Sequence, residues 1–143
     1  MHPTDLAQRC ADVMYAADSA SRHLGITVHD VAPGHAMVQM QISDHMLNGH
    51  GICHGGYVFT LADTAFAFAC NTYNDVTVAA GADISFLEPV AAPATLTATA
   101  HETHRRGRSG LYDVTVRTGE GTVVAEFRGR SRSLGRPLLD EEG

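Results

Sequence analysis

GGYVFTLADTAFAFACN, residues 55–71, is apolar over nearly its whole length and carries one charged residue, Asp63. An unpaired carboxylate in hydrocarbon is expensive, so Asp normally sits at a helix end or on a wet face. Here it falls mid-helix, with Phe59 and Phe66 one turn to either side. Burial raises a carboxyl's pKa, and perturbed acids cluster at functional sites, so Asp63 is the first candidate for chemistry. A helix that is apolar nearly all round is a buried helix. It needs its own sheet on one side and more protein on the other, and a second copy of the chain is the simplest supply.

Outward from this segment, the pattern changes period. Residues 4–22 read as an amphipathic helix, with Thr4 as N-cap, Leu6, Cys10, Val13, Met14 and Ala17 at helical spacing, and Gly25 as the stop. Ile26–His29 and His35–Ile42 alternate and are joined by the turn signal Pro33-Gly34, which predicts a hairpin. Ser43–Gly56 is a glycine-rich loop ending at a helix start, and the central helix is expected from about Gly56 to Cys70. Four strand-like runs follow, Val76–Leu87, Ala94–Thr103, Gly110–Thr118 and Thr122–Ser133, with Glu120-Gly121 as a hairpin turn. The tail from about residue 135 reads as flexible. One greasy helix on a run of antiparallel strands is an α+β layer architecture, here a single domain over residues 1–143.

The composition, 44% hydrophobic and 18% charged in 143 residues, is that of an ordinary globular domain able to bury one core. A net charge of -6 argues against a dedicated nucleic-acid binder. All ten basic residues are arginine, and they cluster at Arg105, Arg106 and Arg108 and again at Arg128, Arg130, Arg132 and Arg136. Such forks suit phosphate recognition as well as solvated strand edges. Cys10, Cys53 and Cys70 have no metal or disulfide spacing. The acidic, interrupted N-terminus does not read as a signal peptide, and no apolar run reaches the length of a membrane span. The expected location is a reduced cytoplasm, away from membranes.

On a helical wheel at roughly 100° per residue, Gly56, Phe59, Thr60, Ala67 and Cys70 share the side of Asp63, while Leu61, Ala65 and Phe68 lie opposite. The loop before the helix supplies Asn48, His50, Cys53 and His54. The helix start supplies the backbone N–H groups of Gly55 and Gly56, placed where a helix dipole favours developing negative charge. Amides so placed make an oxyanion hole, and a carboxylate can serve as general base or nucleophile on the same carbon. The reading is acyl transfer. Other readings use the same residues: Asp63 paired with Arg, His or helix-end amides at a dimer seam, His54 anchoring the loop by bonding backbone, Asn48-Gly49 as a simple turn. Thr60 and Thr64 most simply bond the preceding helical turn. A metal on His50 and His54, or a Cys53–His54 nucleophile pair, is disfavoured by glycine surroundings and by adjacency.

The run MLNGHGICHGGYVFTLADTAFAFACN, with NGH, a short spacer, HGG, LADTAFA and CN, closely resembles the hot-dog-fold acyl-CoA thioesterases of the phenylacetate-degradation (PaaI-type) branch. ADISFLEPV, GLYDVTV and FRGRSRSLG extend the resemblance over almost the whole chain. It implies a curved antiparallel β-sheet wrapped around the central α-helix, protomers pairing into a continuous sheet, and a dimer of dimers with active sites at the dimer interface. Asp63 matches the catalytic carboxylate, Gly55 the amide that polarises the thioester carbonyl, and Asn48 and His54 the loop residues around carbonyl and water. Thr64 is a weaker match across the seam. Gly56, Phe59 and Phe66 join the expected substrate contacts, and Arg106 and Arg108 become contacts for coenzyme A phosphates. The implied substrates are phenylacetyl-CoA and ring-hydroxylated phenylacetyl-CoA, with no metal or redox cofactor. A hot-dog hydratase or dehydratase and a non-catalytic acyl-CoA binding module are the alternatives.

Overall fold

The computed structural model describes residues 1–140. Helices α1 (Pro3–Ala17) and α2 (Ser19–His23) lead into strands β1 (Thr27–Ala32) and β2 (His35–Ile42). A short 3-10 turn at Asp44–Met46 and a loop precede α3 (Gly55–Cys70), and β3 (Thr77–Phe86), β4 (Ala94–Arg106), β5 (Ser109–Thr118) and β6 (Val123–Ser133) follow. All neighbouring strands are antiparallel, in the order β1-β2-β4-β5-β6-β3, and the curved sheet touches α3 from every strand. The long crossover that carries α3 thus separates β2 from β3 and sends β3 to the far edge.

The expected helix over 4–22 is two helices. Its N-cap is His2, whose Nδ1 accepts from Thr4 N at 3.1 Å, so Pro3 rather than Thr4 opens the first turn. Asp18 leaves helical geometry and recaps the chain, its carboxylate accepting from Ser21 N at 2.9 Å and Ser21 Oγ at 2.6 Å. A capping side chain offers the backbone an alternative to continuing the helix, which is why the break falls there. β4 continues past Thr103 to Arg106, accommodating an irregularity between Glu102 and His104.

The core lies between sheet and α3. Phe66 lies over Gly129, where a methyl group would fall 2.8 Å from the ring, and it packs on Tyr112 and Phe127 with centroids at 5.6 and 5.9 Å. Val58, Leu61, Ala62, Ala65, Phe68 and Ala69 are also buried, whereas Gly56, Phe59, Thr60, Asp63 and Ala67 form a partly open stripe. Cys70, expected on that stripe, is buried. Edge strand β3 is open too, with Val78 and Phe86 exposed. Of the tail expected to be flexible from about residue 135, residues 141–143 lie outside the described ones; within the rest, Arg136 O accepts from Val76 N at 2.9 Å and Asn74 Oδ1 accepts from Leu138 N and Leu139 N at 3.0 and 2.7 Å. Among the described residues, no helix is long and apolar enough to cross a membrane.

Candidate active site

The loop before α3 is held by its own hydrogen bonds. Asn48 Oδ1 accepts from His50 N at 2.9 Å and Ile52 N at 3.4 Å, while Asn48 N donates to Ile52 O at 2.8 Å. Gly51, at φ +76°, donates to Asn48 O and takes the left-handed conformation the turn requires. Cys53 N donates to Val90 O and His54 N to Met46 O, both at 2.7 Å, so the loop is pinned to the β3–β4 connection. Asn48 therefore anchors the loop through its oxygen, and its Nδ2 makes no hydrogen bond among the described residues.

His54 is the N-cap of α3, with Nδ1 accepting from Gly56 N at 2.9 Å. That bond places the proton of the neutral ring on Nε2, which stays available as a donor. It also takes the Gly56 amide out of use. Of the two helix-start amides expected to form an oxyanion hole, only Gly55 N–H has no partner among the described residues. The reason is local: a helix leaves its first amides without intrahelical acceptors, and the cap reaches only one of them. Gly55 opens onto a cavity of about 390 Å³ lined by Asn48, Cys53, Val58, Phe86, Val90 and Val124. Burial pushes the Cys53 thiol up, and its Sγ lies 3.6 Å from His54 O, so it is a neutral donor rather than a nucleophile.

Asp63 lies on the open stripe of α3, half-buried. Desolvation holds its carboxyl above the usual range, and no described residue bonds or pairs with it. Cys70, one face-turn further on, is pushed up to about 12, first by burial and in smaller part by the Asp63 charge. Thr60 Oγ1 donates to Gly56 O at 2.8 Å and Thr64 Oγ1 to Thr60 O at 2.7 Å, the back-bonding expected of them. Gly55 and Asp63 are separated by eight residues, about 12 Å of helical rise. Within one chain they cannot act on one carbonyl carbon.

Other expected contacts fall elsewhere. Phe66 is 1% exposed and belongs to the core, because Gly129 admits its ring onto the sheet. Phe59 is on the open stripe, edge-on to Phe127 at 5.4 Å. Arg106 and Arg108 sit at the β4–β5 turn, where Arg108 O accepts from Ser133 N at 2.7 Å and the Arg108 guanidinium lies against Gly135. This is the C-terminal end of the same protomer's α3, away from the Gly55 cavity. Phe86, which the sequence reading did not single out, lies on Gly55 itself: a methyl there would be 3.1 Å from its Cζ. The alternation Ala82, Ile84, Phe86 carried that signal, since these face the helix side opposite Gly129, Phe127 and Ala125. Among the described residues, no three His, Cys, Asp or Glu side chains gather as a metal site would require.

The sequence pattern of the Thioesterase superfamily matches residues 50–125. Acyl-coenzyme A thioesterase PaaI of Escherichia coli (strain K12) is 43% identical over 131 residues, 92% of this chain and 94% of that protein. The solved structure of the E. coli PaaI protein from the phenylacetic acid degradation operon superposes with a TM-score of 0.93 at 41% identity, covering 95% of this chain and 99% of that one. A Streptococcus mutans UA159 protein solved bound to acetyl CoA superposes with a TM-score of 0.75 at 25% identity, covering 78% of this chain and 90% of its own.

Proposed function

The chain belongs to the thioesterase superfamily, and we propose that it hydrolyses phenylacetyl-CoA or ring-hydroxylated phenylacetyl-CoA to the free acid and coenzyme A. Its architecture is the hot-dog fold of its relatives, and its activity class is acyl-CoA thioester hydrolysis. The observation that carries the mechanism is that α3 leaves two groups uncommitted, the Gly55 N–H and the Asp63 carboxylate, each in a low-dielectric setting.

In this reading the thioester carbonyl oxygen accepts from Gly55 N–H, where the helix dipole stabilises the oxyanion as the carbon becomes tetrahedral. His54 Nε2–H and Asn48 Nδ2–H are the nearby side-chain donors for carbonyl and water. Asp63 either takes a proton from water as the water oxygen bonds to carbon, or bonds to the carbon itself and forms an anhydride that water opens. In both routes the C–S bond breaks and the thiolate of coenzyme A leaves. A carboxylate whose pKa is raised by desolvation is a stronger base.

The 12 Å rise requires that the two groups come from different protomers. Gly55 and Asp63 lie four residues on either side of Phe59, on the open stripe of α3. A two-fold axis at Phe59, with the two α3 helices antiparallel, sets Gly55 of one protomer level with the partner's Asp63. The same axis carries the C-terminal end of the partner's α3 past this Gly55, and with it the arginine-rich β4–β5 turn. Arg106 and Arg108 thereby become candidates for the coenzyme A phosphates. The exposed edge of β3 and the partly open stripe support self-association, first as a dimer and then as a dimer of dimers.

The test is thiol release by the purified protein from phenylacetyl-, hydroxyphenylacetyl-, benzoyl- and straight-chain CoA esters. The expected result is turnover that is highest on the aryl-acetyl esters. No thiol from any ester would sink the reading, and hydration of an enoyl thioester without thiol release would replace it with a hydratase. Single-turnover hydrolysis in labelled water, followed by analysis of the Asp63 carboxylate for label, separates attack on carbon from base catalysis.

A further inference from the structure

We infer that Phe86 sets which acyl groups the site accepts, and this rests on the thioesterase reading above. The ring stands at the end of β3 on the helix side of the sheet, paired in register with Ala125. Phe66 and Phe127 on the same side are 1% and 2% exposed, whereas Phe86 is 55% exposed. It comes down tightly on Gly55: a methyl on that glycine would lie 3.1 Å from Cζ and 3.3 Å from Cε1. The large aromatic therefore rests against the helix-start residue whose amide has no partner among the described residues, and it gains little of the burial that holds the other two in place.

Two properties of position 55 coincide. The absence of a side chain lets the ring come down onto the main chain, and the N–H of the same residue is the donor left for a carbonyl. An acyl carbonyl held by that N–H must direct its substituent past the Phe86 ring. The remaining walls of the cavity, about 390 Å³, are mostly aliphatic, with Val58, Pro89, Val90 and Val124 among them, and Asn48 and Glu88 are the polar members at its lining. A flat aromatic wall facing aliphatic ones favours a neutral planar group held edge-to-face or offset against it. The ring also occupies the space into which a long saturated chain would extend. The acyl class is thus a neutral arylacetyl or short acyl group, and chain length is limited by one side chain at the edge of the sheet.

The test compares kcat/KM for phenylacetyl-, butyryl- and decanoyl-CoA in the wild-type protein, Phe86→Ala and Phe86→Leu. In Phe86→Ala the decanoyl-to-phenylacetyl ratio should rise by at least about tenfold, because one methylene's worth of room in an apolar pocket already discriminates at that level. Phe86→Leu should fall between, and it alone decides the matter if the alanine variant does not fold. Ratios within twofold of wild type in every folded variant overturn the inference. Binding of the same esters, read as the rise in the thermal midpoint, is measured in parallel. If the wild-type protein releases thiol from no ester, hydrolysis is wrong, and the Phe86 inference then stands or falls on whether the variants reorder the binding series.

Discussion

The two ends of α3 are built in opposite ways. At the C-terminal end side chains meet the helix carbonyls of Ala67 and Ala69. Asn71 Nδ2 donates to Ala67 O and to Thr77 O, and Asn71 Oδ1 accepts from Thr77 N, all at 2.9 Å. Thr72 Oγ1 donates to Ala69 O and accepts from Gly34 N, tying the helix end to the β1–β2 turn, while Tyr73 and Tyr112 share Glu102 Oε1. At the N-terminal end the cap satisfies Gly56 and leaves Gly55 N–H facing an apolar cavity. Each end carries backbone groups without intrahelical partners, N–H donors at one and C=O acceptors at the other. One end uses them to hold the fold, and the other holds them back for a ligand.

The division can be broken by substitution. Asp63→Asn keeps shape and removes the carboxylate, so turnover should fall by about a thousandfold in a thiol-release assay, in the usual range for losing a positioned base or nucleophile. Residual turnover within tenfold of wild type would remove Asp63 from the chemistry. Gly55→Pro deletes the free N–H, and Gly55→Ala controls for the crowding of Phe86 that any side chain at this position brings. Proline suits the first helical position, and His54 before it is already extended at φ -61°, ψ 132°. The expected loss is about 10²–10³-fold in kcat, as for one oxyanion donor. Gly55→Ala, which crowds Phe86 but keeps the N–H, should lose less.

At the other end the effect should appear in stability. Asn71→Ala strands Thr77 N and O and removes the amide donor to Ala67 O, and should cost about 2–3 kcal/mol in denaturant unfolding. The kcat of the folded fraction should stay within about threefold of wild type; a loss like that of Gly55→Pro would erase the contrast. The smallest effect concerns pH. Burial raises the folded pKa of Asp63 above the ordinary value of 3.8, so the folded state binds its proton more tightly than the unfolded one. Its contribution to stability is complete below the unfolded value and is lost as pH rises through the folded one. Asp63→Asn should therefore melt a few degrees higher than wild type at neutral pH and show no such gain below about pH 3.8. A gain that grows toward acid would reverse the sign.

The sequence pattern carried much of this, and the losses have physical reasons. The apolar run around Asp63 marked α3 as enclosed, because no surface helix tolerates hydrophobic residues on every side. Alternation and turn residues placed the strands to within a few residues, since a half-buried sheet imposes period two. The break at Asp18 was hidden because Ala17 and Ser21 keep helical spacing on either side of it. Phe66 and Phe86 look alike in the sequence, and only the glycine each rests on, Gly129 or Gly55, separates core from cavity. The helical wheel aligned Gly56 with Asp63 correctly but could not see that His54 had already taken its amide. Nor does a wheel carry length along the axis, so it left Gly55 and Asp63 looking like partners within one chain.

Hybrid dimers test directly whether Gly55 of one protomer works with the partner's Asp63. Asp63→Asn and Gly55→Pro chains, each with its own tag, are co-expressed, and the mixed species is isolated alongside both parents. If one protomer's Gly55 works with the partner's Asp63, each mixed dimer holds one intact site and one doubly defective site. The mixed species should then show about half the wild-type turnover, and an unfractionated random mixture about a quarter. If both groups act within one chain, every site in the hybrid carries a defect, and turnover stays at the level of the parents.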